Sequence, residues 1–377
     1  MSSPAGSTPV LWLTGLPCAG KTTIARALRE RLEASAQPCV SLDGDEVREH
    51  LSGGLGFSAE DRRRNIERVV YVAALLARQG TPVIVSLVSP YRSMRAAARA
   101  ALTGFIEVHV RCAPAECERR DVKGMYARAR RGEIQGFTGV SDPYEEPERP
   151  EIVVDTDRAD VGTCVERILD HLARNELLAI DPFPSDAYLS AVFAFAQTKH
   201  RGQRRVGGKP YMTHPAAVAR ALSAAGCDAA TVAAGLLHDV LEDTNADRED
   251  LIKAAGQEAA SIVCEVTDPD KTVGWKRRKE LYLERISSAG PKAACVAAAD
   301  KAHNIRSLIS GLRGQDAGFA AKFSADIPDK TANYANILTV LEARIPGHRL
   351  LEDYRKALEE LRSLRPVGTG RTEGVAR

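Results

Sequence analysis

Residues 10–28, VLWLTGLPCAGKTTIARAL, decide the architecture of the first half of the chain. The apolar run 10–14 reads as a buried strand, residues 15–22 fit the pattern GxxxxGK[ST], and 21–35 have helical spacing. A glycine-rich turn between a strand and a helix aims backbone N–H groups and the positive end of the helix dipole at an anion. In such a loop Gly15, Ala19, Gly20, Lys21, Thr22 and Thr23 surround phosphate oxygens. Lys21 reaches the β- and γ-phosphates, and the Thr22 hydroxyl ligates Mg²⁺. The pattern predicts a nucleoside triphosphate site and leaves the acceptor open.

Working outward, apolar runs at 39–42, 83–88, 105–110 and 152–154 alternate with helical patterns at 64–79 and 161–172. Such alternation builds βαβ units, so the fold expected for 10–174 is α/β, a parallel sheet with helices on both faces. Asp43-Gly44-Asp45 closes the second strand, at the end of the sheet where open α/β folds hold ligands. Two carboxylates at i and i+2 beside a γ-phosphate suit phosphoryl transfer. One helps to hold Mg²⁺, while the other orients an acceptor hydroxyl and takes its proton. Arg48, Arg62, Arg63 and Arg64 are available for anionic groups on that acceptor.

The pattern changes after residue 174. Residues 177–186, LLAIDPFPSD, carry two prolines and two aspartates, and 175–185 read as a linker. From 186 to 365 the chain reads as all-α, with Ala-rich helical patterns at 186–200, 215–225, 229–241, 248–255, 259–266, 277–287, 292–312, 329–344 and 350–364. Residues 1–9 and 366–377 lack periodicity and are expected to be flexible. One helical run, TVAAGLLHDVLEDT (231–244), is apolar except for His238, Asp239, Glu242 and Asp243. His238/Glu242 and Asp239/Asp243 are i,i+4 pairs, which places a polar stripe on a buried helix. Buried ionisable groups without partners are costly, and a divalent metal that accepts imidazole and carboxylate together resolves the cost.

Composition sets outer limits. Of 377 residues, 44% are hydrophobic and 27% charged, the balance of a globular chain. Fifty-two basic residues against 50 acidic ones give a net charge of +2, so no global field favours nucleic acid as a partner. No apolar run reaches bilayer length, and the start lacks a secretory pattern, so neither a membrane partner nor export is expected. The eight cysteines form no CxxC pair and read as reduced, mostly buried thiols of a cytoplasmic protein, with Cys112 and Cys117 as a weaker redox reading.

Residues 10–172 resemble the adenylylsulfate kinases. The resemblance is carried by GLPCAGKTT (15–23), LDGDEVR (42–48), LGFSAEDRRRNIERV (55–69), VSPYR (88–92), RDVKGMYARARRGEIQGFTGVSDPYEEPERPE (120–151) and VDT (154–156), in order and at family-like spacing. It implies transfer of the ATP γ-phosphate, with Mg²⁺, to the 3′-hydroxyl of adenosine 5′-phosphosulfate (APS), giving 3′-phosphoadenosine 5′-phosphosulfate. By that resemblance Asp43 and Asp45 flank the 3′-hydroxyl and the metal. Arg48, Arg62 and Asn65 hold the phosphosulfate, and Phe57 and Phe137 sandwich the adenine. Lys123 and Arg128 lie in a lid over the phosphates, and Ser89 lines the acceptor pocket. A homodimer through the kinase half is also implied. The chain departs from the family at Pro17-Cys18, where Ser-Gly is usual, and at Arg64 and Glu67, an apparent charge swap that could keep a local ion pair.

Residues 186–365 resemble the HD-type hydrolase domain of the RelA/SpoT alarmone enzymes, and more closely the small stand-alone alarmone hydrolases. The shared pieces are HRGQRRVGGKPYMTHP (200–215), LLHDVLEDT (236–244), VTDPDKT (266–272) and ADKAHNIRSL (299–308). The resemblance implies His214, His238, Asp239 and Asp300 as Mn²⁺ ligands, and Glu242 and Asp243 as the groups that activate water. It implies Arg205 and Lys209 as contacts to phosphate or base, and Asn304 as a contact to the sugar. His200 and His303 are expected to be structural. The substrates implied are small nucleotides bearing a 3′-phosphoryl or pyrophosphoryl group. A purely regulatory nucleotide-binding role for this half is the alternative.

Overall fold

The computed structural model describes residues 8–268, 272–313 and 326–364, so most of the two expected flexible ends lies outside the described residues. The chain divides into two compact units: Met1–Asp181 with Gly202–Thr213, and Pro182–Arg201 with His214–Arg377.

In the first unit the elements run β1 (Val10–Thr14), α1 (Lys21–Ala34), β2 (Val40–Asp43), α2 (Gly44–His50), α3 (Ala59–Arg78), β3 (Val83–Ser86), α4 (Arg92–Ala101), β4 (Phe105–Arg111), α5 (Pro114–Arg120), α6 (Met125–Arg130), β5 (Ile152–Asp155) and α7 (Val161–Arg174). The five strands form one parallel sheet in the order β2-β3-β1-β4-β5. Strand side chains alternate between two cores. Leu11, Leu13 and Val108 join α1 and α7 on one face. Val10, Trp12 and Val85 join α3 and α4 on the other. The expected α/β fold is therefore present.

The strand order puts β1 between β3 and β4, so the chain leaves β1 at the crevice where the order reverses. The turn there is tight. A Cβ on Gly15 would stand 2.3 Å from the Val110 carbonyl oxygen of neighbouring β4. Gly15→Ala should therefore cost about 2 kcal/mol of stability, read from denaturant unfolding of the first unit.

Three expectations need correction here. Residues 175–185 are not a free linker: Leu178 and Ile180 are buried in the first core, and only the stretch from Pro182 onward leaves that unit. The prolines punctuate the chain, but the apolar run before them is buried. At the other end, Pro9 is buried and its carbonyl accepts from Val83 N–H. Helix α3 starts five residues earlier than periodicity suggested, because Ser58 caps it by accepting from Asp61 N–H at 3.1 Å and donating to Asp61 Oδ2 at 2.7 Å. This places Arg62 and Asn65 on the buried face of α3.

The second unit is helical among its described residues: α8 (Ala187–Lys199), α9 (Thr213–Ala224), α10 (Ala229–Leu237), α11 (Val240–Asp243), α12 (Arg248–Val266), α13 (Trp275–Ser288), α14 (Pro291–Arg313), α15 (Ile327–Arg344) and α16 (Arg349–Ser363). Helix α12 is kinked at Gly256, in keeping with the two patterns read on either side of it. The expected continuous helix 229–241 is broken at His238-Asp239, which separates α10 from α11. The polar residues of this run therefore lie at or just after a helix break. Alanine makes up much of the buried face of α14, including Ala293, Ala297 and Ala298, and so allows neighbouring helices close approach.

Candidate functional sites

The residues at the carboxyl ends of the strands form the first site. Gly20 takes the left-handed conformation (φ 96°) and hands the chain to α1. Cys18 is left-handed too (φ 60°), at the position where the family has glycine. Lys21 Nζ donates to the carbonyls of Gly15 (3.0 Å) and Leu16 (2.8 Å), and burial lowers its ammonium to about 8. Thr22 Oγ1 donates to Asp43 Oδ2 at 2.8 Å, so this hydroxyl and the first carboxylate are in direct contact. Asp43 Oδ1 accepts from Asp45 N–H at 3.0 Å as the N-cap of α2. Asp45 is ion-paired with Lys123 from the segment before α6, and the Asp45 carboxylate raises the Lys123 ammonium. Thr23 is exposed on the first turn of α1, and Ala19 is buried with its carbonyl accepting from Thr156 Oγ1 at 2.7 Å.

The acceptor side is built around Arg62. Its guanidinium donates to the Phe57 carbonyl (2.9 Å), to Thr138 Oγ1 (2.7 Å) and to the Gly136 carbonyl, which ties the loop bearing Phe57 to the loop bearing Phe137. Phe137 is buried edge-on against Tyr126, whereas Phe57 is half-exposed beneath the Arg48 guanidinium, 4.4 Å from the ring centroid. Burial, reinforced by Arg62, lowers the Arg48 guanidinium from its ordinary value. Asn65 is buried with no hydrogen-bond partner for Oδ1 among the described residues. Ser89 is left-handed (φ 45°), and its hydroxyl accepts from Trp12 Nε1 at 3.0 Å. Arg128 lies at the surface, 3.3 Å from Glu133. The anticipated Arg64–Glu67 pair is replaced by Arg63 with Glu67 and Arg64 with Glu60. These are exposed i,i+4 pairs of small energetic weight.

In the second unit His214, His238, Asp239 and Asp300 converge from α9, the α10–α11 break and α14. His214 Nε2 lies 3.1 Å from His238 Nε2, 3.2 Å from Asp300 Oδ1 and 3.6 Å from Asp239 Oδ2. His238 Nε2 lies 3.2 Å from Asp239 Oδ1 and 3.7 Å from Asp300 Oδ1. His238 Nδ1 donates to the Gly235 carbonyl at 2.9 Å, which leaves the Nε2 lone pair facing inward. Two buried imidazole nitrogens facing each other across carboxylates call for a positive charge between them. The electrostatics agree. Burial opposes protonation of His238, yet Asp239 and Asp300 carry it up to about 9. Burial also opposes ionisation of Asp300, but Lys301, His214 and His238 hold its carboxyl well below the usual range. The donor set fits a divalent cation of the zinc–manganese class.

Glu242 stands beside this centre. Burial, helped by Asp239 and Asp268, pushes its carboxyl up to about 7, and it accepts from Asp268 N–H. Asp243 lies one residue further on α11 and is partly buried. Asn304, expected at a sugar, donates to Asp300 Oδ1 at 2.5 Å and so supports a ligand. Arg205 and Lys209 belong to the first compact unit, where Lys209 Nζ pairs with Glu176 at 2.5 Å.

Lys301 escaped the sequence reading, and so did the partner of His303, which was expected only to be structural. Lys301 is buried against Asp300 Oδ2 (2.5 Å) and lies over the Tyr282 ring. His303 Nδ1 meets His214 Nδ1 at 2.8 Å. With His214 donating, its Nε2 lone pair faces the other ligands, so His303 sets the ring's tautomer. The i+3 step from Asp300 to His303 on one helix was the available signal. His303→Ala should weaken Mn²⁺ binding about 10–100-fold, measured by metal titration of the chelator-stripped protein.

Comparison with known proteins agrees with this division. The adenylylsulphate kinase family profile matches residues 7–155 and the HD domain profile residues 192–325. The adenylyl-sulfate kinase of Picosynechococcus sp. is 51% identical over 162 residues, 43% of this chain and 92% of that protein. That of Paraburkholderia xenovorans is 49% identical over 173 residues, 46% of this chain and 96% of that protein. Among solved structures, the Mycobacterium tuberculosis APS kinase in complex with AMPPNP and APS covers 44% of this chain at 38% identity, with 98% of that chain covered and a TM-score of 0.43. A metazoan ortholog of SpoT that hydrolyzes ppGpp covers 48% at 29% identity, with 98% of that chain covered and a TM-score of 0.42. The chain belongs to the adenylylsulfate kinase family and carries an HD domain in its C-terminal half.

Proposed function

We propose that the protein is bifunctional: its first unit phosphorylates the 3′-hydroxyl of APS, and its second hydrolyses a nucleotide that carries a 3′-phosphoryl group. The observation that carries the kinase reading is the chain of contacts Lys21–loop, Thr22–Asp43 and Asp45–Lys123 at the mouth of the sheet. Asp43 is the metal-side carboxylate, because it already holds the Thr22 hydroxyl. Asp45 is the acceptor-side carboxylate, and Lys123 brings the lid to it. Bound Mg²⁺ supplies charge neutralisation on the β- and γ-phosphates. The 3′-oxygen forms its bond to the γ-phosphorus as the β–γ bridge breaks, and the hydroxyl proton passes to Asp45. Arg48 and Asn65 face the phosphosulfate, Arg62 fixes the two loops around it, and Phe57 and Phe137 bracket the adenine. Ser89 lines the acceptor pocket, and Arg128 closes over the phosphates.

In the second unit His214, His238, Asp239 and Asp300 would hold Mn²⁺ or a similar ion, which when bound polarises the phosphoryl oxygen. Glu242 takes the proton of the attacking water, a role its raised carboxyl suits, and Asp243 orients that water. The bond between phosphorus and the 3′-oxygen breaks, and the nucleoside oxygen leaves with a proton. Because Glu242 is kept against the ligand set, turnover accounts for the site better than sensing alone.

One incubation tests both halves. Full-length protein is supplied with ATP, Mg²⁺ and APS, then with Mn²⁺, and nucleotides are followed by chromatography. The 3′-phosphorylated product should appear, and its absence would overturn the kinase reading. Subsequent loss of the 3′-phosphate identifies a shared metabolite. If the product persists, guanosine tetraphosphate is the next substrate, and no release from either nucleotide would sink the hydrolase reading.

Lys21 supplies a further check. Its ammonium, lowered to about 8 by burial, regains a full charge once phosphates surround it. ATP binding should therefore take up protons at pH 8 and above, with little uptake well below that. Calorimetry in two buffers of different ionisation heat measures the uptake, and Lys21→Ala should remove it.

A further inference from the structure

Away from the HD centre, Cys227, Cys295 and His348 bring two sulfurs and an imidazole nitrogen within 4.8 Å of one another. All three belong to the second unit, and no step above uses them. Each sits where backbone geometry is already fixed. Cys227 follows left-handed Gly226, and its N–H closes the end of α9 onto the Leu222 carbonyl at 3.1 Å. Cys295 lies in the buried second turn of α14. His348 follows left-handed Gly347 and is the N-cap of α16. The donors are therefore placed by three separate turns and not by one flexible loop.

The spacing fits a soft cation. Metal–sulfur and metal–nitrogen bonds of about 2.3 and 2.0–2.1 Å at a tetrahedral ion put sulfur and nitrogen about 3.6 Å apart. Cys295 Sγ and His348 Nε2 are 3.7 Å apart, longer than a good thiol hydrogen bond but matched to a shared ion. Cys227 is partly exposed, which gives entry from solvent. We propose that Cys227, Cys295 and His348 form a second metal site, selective for a thiophilic divalent cation of the zinc class and separate from the His/Asp centre. Occupancy joins the α9–α10 turn, α14 and the start of α16. It also moves the proton of the neutral His348 ring to Nδ1, which now accepts Leu350 N–H at 3.3 Å, so that contact is given up on binding.

The test uses full-length protein, stripped by chelator and kept in a phosphine reductant, titrated with Co²⁺ alone and then with Zn²⁺. A tetrahedral sulfur-ligated ion gives a sulfur-to-cobalt charge-transfer band that the sulfur-free HD centre cannot give. The band should reach the intensity of one sulfur-ligated ion per chain, within two equivalents of added Co²⁺ because the HD centre also takes metal, and be displaced by Zn²⁺. It should vanish in Cys227→Ser and in Cys295→Ser, and persist in His238→Ala and Cys117→Ser. His348→Gln should weaken Co²⁺ binding at least about tenfold. Zn²⁺ should raise the unfolding midpoint of the wild type and not of Cys227→Ser. If Cys295→Ser fails to fold, partly exposed Cys227 still carries the test. No band, or a band indifferent to both cysteines, overturns the proposal. So does a pair that closes to a disulfide under peroxide yet never binds cobalt when reduced.

Discussion

Lys21→Ala should lower 3′-phosphoryl transfer about 10³-fold or more while leaving the HD half intact. The side chain is the one cation that the loop itself holds inside the phosphate cradle, anchored by the carbonyls of Gly15 and Leu16. Alanine removes that charge from the position where negative charge builds on the leaving β-phosphate oxygens in transfer, and loop backbone N–H groups cannot replace it. The folded structure should survive, because Lys21 donates only to loop carbonyls that water can satisfy. The measurement is single-turnover formation of 3′-phosphorylated product with saturating ATP and APS, alongside hydrolysis by the same preparation. Near-normal transfer would remove the loop from the chemistry altogether.

His238→Ala should abolish hydrolysis and reduce Mn²⁺ affinity by more than about 100-fold, since loss of a mere supporting partner costs about 10–100-fold. The ring's Nε2 lies 3.1 Å from His214 Nε2 and 3.2 Å from Asp239 Oδ1, and its orientation is fixed by the Gly235 carbonyl. Without it, Asp239 and Asp300 face each other with less positive charge between them. Kinase turnover should be unchanged, which separates this outcome from general unfolding. Retained Mn²⁺ binding would show that the four converging residues do not act as one ligand set.

The two architectures were legible because each rests on a local rule. A strand, a GxxxxGK[ST] turn and a helix follow one another within twenty-odd residues, and strand alternation does the rest. Asp239 was legible for a different reason: a charge inside an apolar helix demands a partner, whereas Asp300 entered only through the resemblance. What stayed hidden depends on distance along the chain. His303 reads as an ordinary helix residue until His214, 89 positions earlier, is seen against it. Cys227, Cys295 and His348 share no motif spacing at all. The break at His238-Asp239 was hidden because periodicity continues across it, although the hydrogen-bond ladder does not. Lys209 was read from its motif, but Glu176, which pairs with it, lies in the other half of the sequence.

The strand order has a consequence for how the kinase handles its two substrates. The phosphate loop hangs from β1, which is flanked on both sides, whereas Asp43 ends β2, which has a neighbour on one side alone and is only partly buried. Edge strands open at lower cost than central ones. The phosphate loop is thus mounted on the interior of the sheet and the Asp43–Asp45 carboxylates on one of its two edges. A protein built this way can keep its nucleotide seated while the margin breathes to admit one acceptor and release the next.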